Sequence, residues 1–239
     1  MLSQHEIPVK ERLRALFAGL ATCDRCATVA RGYRHVPGGG CVDRPRLMLV
    51  FINPTVRNIS ARADWPGPSF PFAGKPGLWH ILADAGLVSP DLPAQIAAFG
   101  PTPAMVERLI DESQRNGLYL TNAVKCVDDG ANLPAAERVA TSWPLLAQEI
   151  AIVRPRNIVA LGQIPFRALT GRTTRLADHL WAAQHGQVSP VPSRPIDGRS
   201  YPVFACYFPT GRGNPVAATQ ILRAIQTQCM THGPFCDDS

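Results

Sequence analysis

Apolar residues open the chain at helical spacing. Val9, Leu13, Leu16, Phe17 and Leu20 stand at i, i+4, i+7, i+8 and i+11, which predicts an amphipathic helix over 8–20. The pattern then changes. Leu47 to Ile52 is an unbroken apolar run between Pro45 and Asn53-Pro54, the length and boundaries of a strand buried on both faces. Further strands are expected at 118–121, 158–161 and 203–208. Between them fall helical patterns at 77–85, 103–115, a longer stretch after Pro134 carrying Val139, Leu145, Leu146, Ile150 and Ile152, and 215–228 with Pro215 in its first turn. Pro54 to Gly77 reads as a polar loop, and 173–200, rich in Pro, Arg and Gly, as a surface loop.

Strands that alternate with helices predict an α/β fold of three layers, α/β/α, around a central, mainly parallel four-stranded sheet. A chain of 239 residues, 46% hydrophobic, fits one core. The expectation is a single domain over 1–239, with 1–45 as an N-terminal helix and a Cys-x2-Cys segment. No stretch reaches the ~20 apolar residues of a membrane span, and Met1 to Arg14 is too charged for a secretory signal, so a cytoplasmic, monomeric protein is expected.

In open parallel sheets the working site lies beyond the carboxyl ends of the strands. That rule selects Asn53-Pro54-Thr55, Asn122-Ala123-Val124-Lys125, Gly162-Gln163 and Pro209-Thr210-Gly211-Arg212. These loops carry two asparagines and a Gly/Arg-rich turn. They hold no Ser-His-Asp set, no phosphate-binding P-loop and no dinucleotide G-x-G-x-x-G, which argues against those enzyme classes. The formal net charge of +6 favours a polyanionic partner such as DNA.

Seven cysteines stand at 23, 26, 41, 126, 206, 229 and 236. An odd count without a signal peptide argues against a secreted disulfide scaffold. Cys23-x2-Cys26 has metal or redox spacing, whereas Cys206 lies in an apolar run and reads as core.

The quoted segments resemble the uracil-DNA glycosylase superfamily. LVFINPT at 49–55 and PFAGKPGLWHIL at 71–82 are similar to its first motif region, with features of both the mismatch-specific and the iron–sulfur branches. LYLTNAVKC at 118–126 and LAQEIAIVRPRNIVALG at 146–162 resemble the iron–sulfur branch, and YFPTGRGNP at 207–215 stands where the family has a His-Pro-Ser loop. The likeness runs in order along nearly the whole chain.

The resemblance implies a monofunctional enzyme of base excision repair. It would flip deoxyuridine out of DNA and hydrolyse its N-glycosidic bond, leaving an abasic site. Asn53 would orient the attacking water. Asn122 would read the uracil edge, Phe72 would stack on the flipped base, and Ile52 would line the pocket. Thr210, Arg212 and Lys75 would contact DNA, with Arg212 in the loop that enters the minor groove. Read without the family, Asn53 and Asn122 are also ordinary turn formers at strand ends, and Phe72 is an ordinary core plug.

Two departures stand out. Phe208 occupies the position of the family's catalytic His and cannot donate a hydrogen bond to the leaving base, while Thr210 replaces Ser. This leaves open a second reading, a protein that binds uracil or abasic DNA with weak catalysis. Cys23, Cys26 and Cys126 match three ligands of a [4Fe–4S] cluster, but the fourth position, 16 residues beyond Cys126, is Ser142. Either Cys41, Cys229 or Cys236 completes the set, or the cluster is lost.

Overall fold

The computed structural model describes residues 7–21, 28–129, 133–211 and 213–230. Cys23, Cys26 and Arg212, singled out above, lie outside the described residues, as does Cys236.

Four strands form the centre: β2 (Leu47–Phe51), β3 (Leu118–Asn122), β4 (Asn157–Leu161) and β6 (Pro202–Cys206). They run parallel in the order β3-β2-β4-β6. The sheet is larger than the expected four strands. Two short edge strands, β1 (Gly39–Gly40) and β5 (Val191–Pro192), add antiparallel pairs to β3 and β6. Neither could be read from propensity, since one is a pair of glycines and the other ends in proline. At β1 the missing side chains are what allow pairing. A Cβ on Gly40, whose φ is +108°, would run into the Leu118 carbonyl, and one on Gly39 would lie 3.0 Å from the Phe70 ring.

Helices cover both faces, and the alternation of side chains along each strand shows how. Leu47, Leu49, Phe51, Leu118, Leu120, Val159, Leu161, Phe204 and Cys206 point to one core. That core is closed by α2 (Pro76–Asp84), α3 (Leu92–Phe99), α4 (Pro103–Arg115) and α8 (Pro215–Met230). Met48, Val50, Tyr119, Ile158, Ala160, Val203 and Ala205 point the other way, onto α1 (Val9–Ala21), α5 (Ala136–Val153) and α6 (Gln163–Thr170). Both faces are therefore apolar, as the unbroken runs in the sequence required. Among the described residues no helix is long and apolar enough to cross a membrane.

Two loop expectations change. The 173–200 segment contains α7 (Leu176–Gln184) as well as β5, though α7 buries none of its residues and stays on the surface. The stretch from Pro54 to Gly77 has a polar interior. Asn58 accepts from the Ser60 amide and donates to the Phe70 carbonyl, and the Ser60 hydroxyl bonds both Asn58 and Phe70. Arg34 fixes the outer turn through the carbonyls of Ser60, Trp65 and Gly67. Buried backbone groups must be paired, and here Asn, Ser and Arg side chains supply what a strand or helix would.

Candidate active site

The chain leaves β2 toward β3 on one side and later returns to β4 on the other. β2 is thus the point where the strand order reverses, and the crevice beyond its carboxyl end is where this architecture binds ligands. The loops that follow β2 and β3 stay zipped past the sheet. The amides of Ala123 and Val124 donate to the carbonyls of Phe51 and Ile52, and Thr55 bridges Asp128 in parallel register.

This places the two asparagines on adjacent strand tips. Asn122 pairs in register with Phe51, and Asn53 lies two residues further on. Asn53 is half-buried and its amide donates to the Pro54 carbonyl at 3.1 Å, which sets the direction of its carboxamide oxygen. Asn122 is 1% exposed, and its Oδ1 is buried without a hydrogen-bond partner. An unpaired buried acceptor costs about 1–3 kcal/mol. Such an atom at the carboxyl end of a central strand is poised for a donor from a ligand.

Apolar and aromatic groups form the adjoining wall. Phe51 is fully buried, with the Phe72 ring 4.3 Å away and tilted and the Phe208 ring 6.4 Å away, edge-on. Gly162 ends β4 at φ +104°, and a Cβ there would touch Ile52 and Phe208 at 3.7 Å each, so these three residues meet. Phe72 has a left-handed backbone, φ +60°, which an aromatic residue adopts only under strain of about 1–3 kcal/mol. Its carbonyl accepts from the Lys75 amide and, more weakly, from the Trp79 indole, and these contacts hold the turn.

Lys75 precedes α2 and donates to the Thr55 hydroxyl at 3.1 Å, joining the β2 loop to the Phe72 turn. Burial, and then the neighbouring Arg57, lower its pKa. Thr210 lies in the turn after β6, where its carbonyl accepts from Gly213 and the Phe208 carbonyl accepts from Asn214. A Cβ on Gly213 would overlap the Phe208 carbonyl, so this turn requires glycine.

A sequence model described as the Uracil DNA glycosylase superfamily matches residues 37–223, the whole central sheet and the loops at its tips. The chain belongs to the uracil-DNA glycosylase superfamily. It is similar to the type-4 uracil-DNA glycosylase of Pyrobaculum aerophilum, 39% identical over 168 residues, a match covering 70% of this chain and 69% of that protein. It is also similar to the type-5 uracil-DNA glycosylase of the same organism, 34% identical over 115 residues. That second match covers 44% of this chain and 45% of the relative, so the chain spans under half the length of that protein.

In this member of the superfamily the structure brings Ile52, Asn53, Phe72, Asn122 and Phe208 to one end of the sheet, with Lys75 and Thr210 on flanking loops. The sequence reading missed a buried polar cluster behind Asn122. Lys125 pairs with Glu149, and these side chains are 2% and 0% exposed. The Lys125 ammonium also donates to the Thr121 hydroxyl and, at 2.8 Å, to the Asn122 carbonyl. Glu149 accepts from Tyr119 and Thr121, each at 2.8 Å. Burial lowers the Lys125 pKa, opposed by the adjacent carboxylate, while burial and then Glu149 push the Tyr119 pKa well up and keep it a donor. Gly38 packs on the cluster. A Cβ there would overlap Glu149 and lie 2.6 Å from the Tyr119 hydroxyl. The signal was present in the sequence, because Glu149 stands on the apolar stripe of Leu146, Ile150 and Val153, all buried.

The cluster ligands implied by the resemblance are not completed by the described residues. Cys126 follows the carboxyl end of β3, whereas the Cys41 amide bonds the Leu118 carbonyl at the strand's other end. Four strand steps, roughly 13 Å at ~3.3 Å each, separate those ends. Cys229 lies near Arg46, just before β2 begins, again at the far end. Neither Cys41 nor Cys229 can therefore join Cys126 around one cluster. Cys41 and Cys126 are each disulfide-bonded, and Ser142 spends its hydroxyl on the Arg138 carbonyl. Among the described residues no group of three metal-binding side chains occurs. Buried Cys206, its thiol pKa pushed far up by desolvation, is the core residue expected.

Proposed function

We propose that this chain removes uracil from DNA by hydrolysing the N-glycosidic bond of a flipped-out deoxyuridine. The observation that carries the reading is the unpartnered Oδ1 of Asn122, buried at the carboxyl end of β3 beside the crevice at β2. Uracil N3–H is a donor that fits it, and the same carboxamide can donate to O4. Cytosine presents an acceptor at N3 and a donor at position 4, so a fixed Asn122 would leave four groups mispaired. That mismatch is what gives a hydrogen-bonding site its selectivity.

The remaining residues take roles consistent with their positions. Phe72, held in a strained turn against Phe51, offers a face for the base, where stacking is worth about 1–3 kcal/mol. Asn53, its amide tied to Pro54, turns its oxygen to a water below the sugar. That water attacks C1′ as the C1′–N1 bond breaks. The electron pair goes to uracil N1, the water's oxygen stays on the sugar as a hydroxyl, and the proton the water loses balances, through solvent, the one the departing uracil anion takes up. An amide is no strong base, so positioning must supply much of the rate. Lys75 and Thr210 would contact DNA beside the strand tips, and the loop of Arg212 would enter the minor groove.

Asn53→Ala is expected to lower single-turnover excision of a U·G oligonucleotide at least tenfold while changing gel-shift affinity less than twofold. Equal losses in both would favour a lesion-binding protein over an enzyme, the second reading that Phe208 invites. Phe208 also predicts the kinetics of the parent protein. Phe208 cannot stabilise the uracil anion by donating to it, so excision is expected to be slow, and multiple turnover slower still where abasic product is retained. Fast, equal rates under single and multiple turnover would contradict this role for Phe208.

A further inference from the structure

We propose that Lys125 and Glu149 are positioning residues for base recognition: the buried ion pair clamps the main chain of Asn122 and so aims its carboxamide. The inference rests on the reading of Asn122 given above. Its basis is connectivity. Lys125 reaches back three residues to the Asn122 carbonyl, and Glu149, on a different element, anchors Lys125 while also gripping Tyr119 and Thr121 of the same strand. The residue before Asn122, the residue three before it and the residue three after it are thereby tied to one carboxylate of α5.

The arrangement differs from what stability alone requires. A buried ion pair is often replaceable by apolar side chains of similar size without loss of stability, because its attraction barely offsets the desolvation of both charges. The adjoining core is apolar, with Leu146, Ile150 and Val153 on the same helix face. What apolar side chains cannot do is donate to a backbone carbonyl at a fixed point. Angular error matters here, since the Asn122 oxygen must meet N3–H and its nitrogen O4 at once.

The test removes the clamp without leaving a lone charge. A triple variant, Lys125→Met with Glu149→Leu and Tyr119→Phe, is compared with the parent on a U·G duplex and on the matching abasic-site duplex. The abasic duplex has no base for Asn122 to read. The expected result is a folded protein whose single-turnover excision falls at least tenfold, with affinity for the abasic duplex within twofold of the parent. Excision by the folded triple variant within twofold of the parent overturns the clamp and leaves the uracil reading standing. A parent that cuts no uracil overturns the uracil reading itself, and the clamp with it. Should the triple variant fail to fold, Thr121→Val and Thr121→Ser decide. Serine keeps the hydroxyl that links Lys125 to Glu149 and should retain the parent rate, whereas valine should lose about fivefold. Equal rates for the two overturn the proposal.

Discussion

Asn122→Leu is expected to yield a protein that is more stable than the parent and nearly inactive on uracil. The two effects share one cause. In the free protein Oδ1 of Asn122 is buried with no donor, and leucine, close in volume, removes that unsatisfied acceptor. Relief of such a group is worth about 1–3 kcal/mol. In the complex the same substitution leaves uracil N3–H and O4 facing hydrocarbon. At ~1–2 kcal/mol for each unpaired group, transition-state binding falls by about 2–4 kcal/mol, roughly 30- to 1,000-fold in rate. Thermal melting and single-turnover excision on the same preparations check both halves. A leucine variant that melts lower and still excises at the parent rate would show Asn122 to be a structural residue, with its acceptor satisfied in some other way. Opposite changes in stability and activity mark a group retained for its work on a ligand.

The position of Asn122 was legible before any coordinates. β2 and β3 are apolar runs that lead into asparagines, and the rule that sites lie at carboxyl ends picked out Asn53, Asn122, Gly162 and the turn after β6 together. The strand bounds agree within a residue or two because the apolar runs are too short for helices and are bounded by proline, glycine or asparagine. The helices that escaped notice lack that signal. α7 has only the partly buried Leu176, Leu180 and Ala183 as an apolar stripe, and α6 begins directly after a glycine and includes Pro165, two breakers that mask an eight-residue helix. Short α3 is similar, with Pro93 in its first turn. Sequence also could not show the order inside 54–77, since the bonds of Asn58 and Arg34 join residues up to 33 apart. Nor could it separate the cysteines. Cys41, Cys229 and Cys236 are equal candidates to complete the set of Cys23, Cys26 and Cys126 until Cys41 is seen at the start of β3, Cys229 near Arg46 at that same end of the sheet, and Cys126 beyond the far end.

Lys125→Met on its own is expected to destabilise the protein by about 3–5 kcal/mol, far more than the triple variant in which Glu149 and Tyr119 change with it. With the ammonium gone, the Glu149 carboxylate remains fully buried, held by the Tyr119 and Thr121 hydroxyls alone. A buried charge stripped of its partner is the expensive case, whereas loss of both partners is near neutral. The non-additivity carries the meaning. If the pair existed to stabilise the fold, the triple variant would also be clearly less stable than the parent. If it exists to hold Asn122, the fold should tolerate the apolar replacement and the reaction should not. Gly38 sharpens the argument, because the cluster excludes even a methyl group at that position and so allows its carboxylate little freedom to relax. Urea denaturation of the parent, the single and the triple variant measures the difference directly. Midpoints that coincide for the single and triple variants would mean that Glu149 is not left stranded, and that the buried pair is not the unit described.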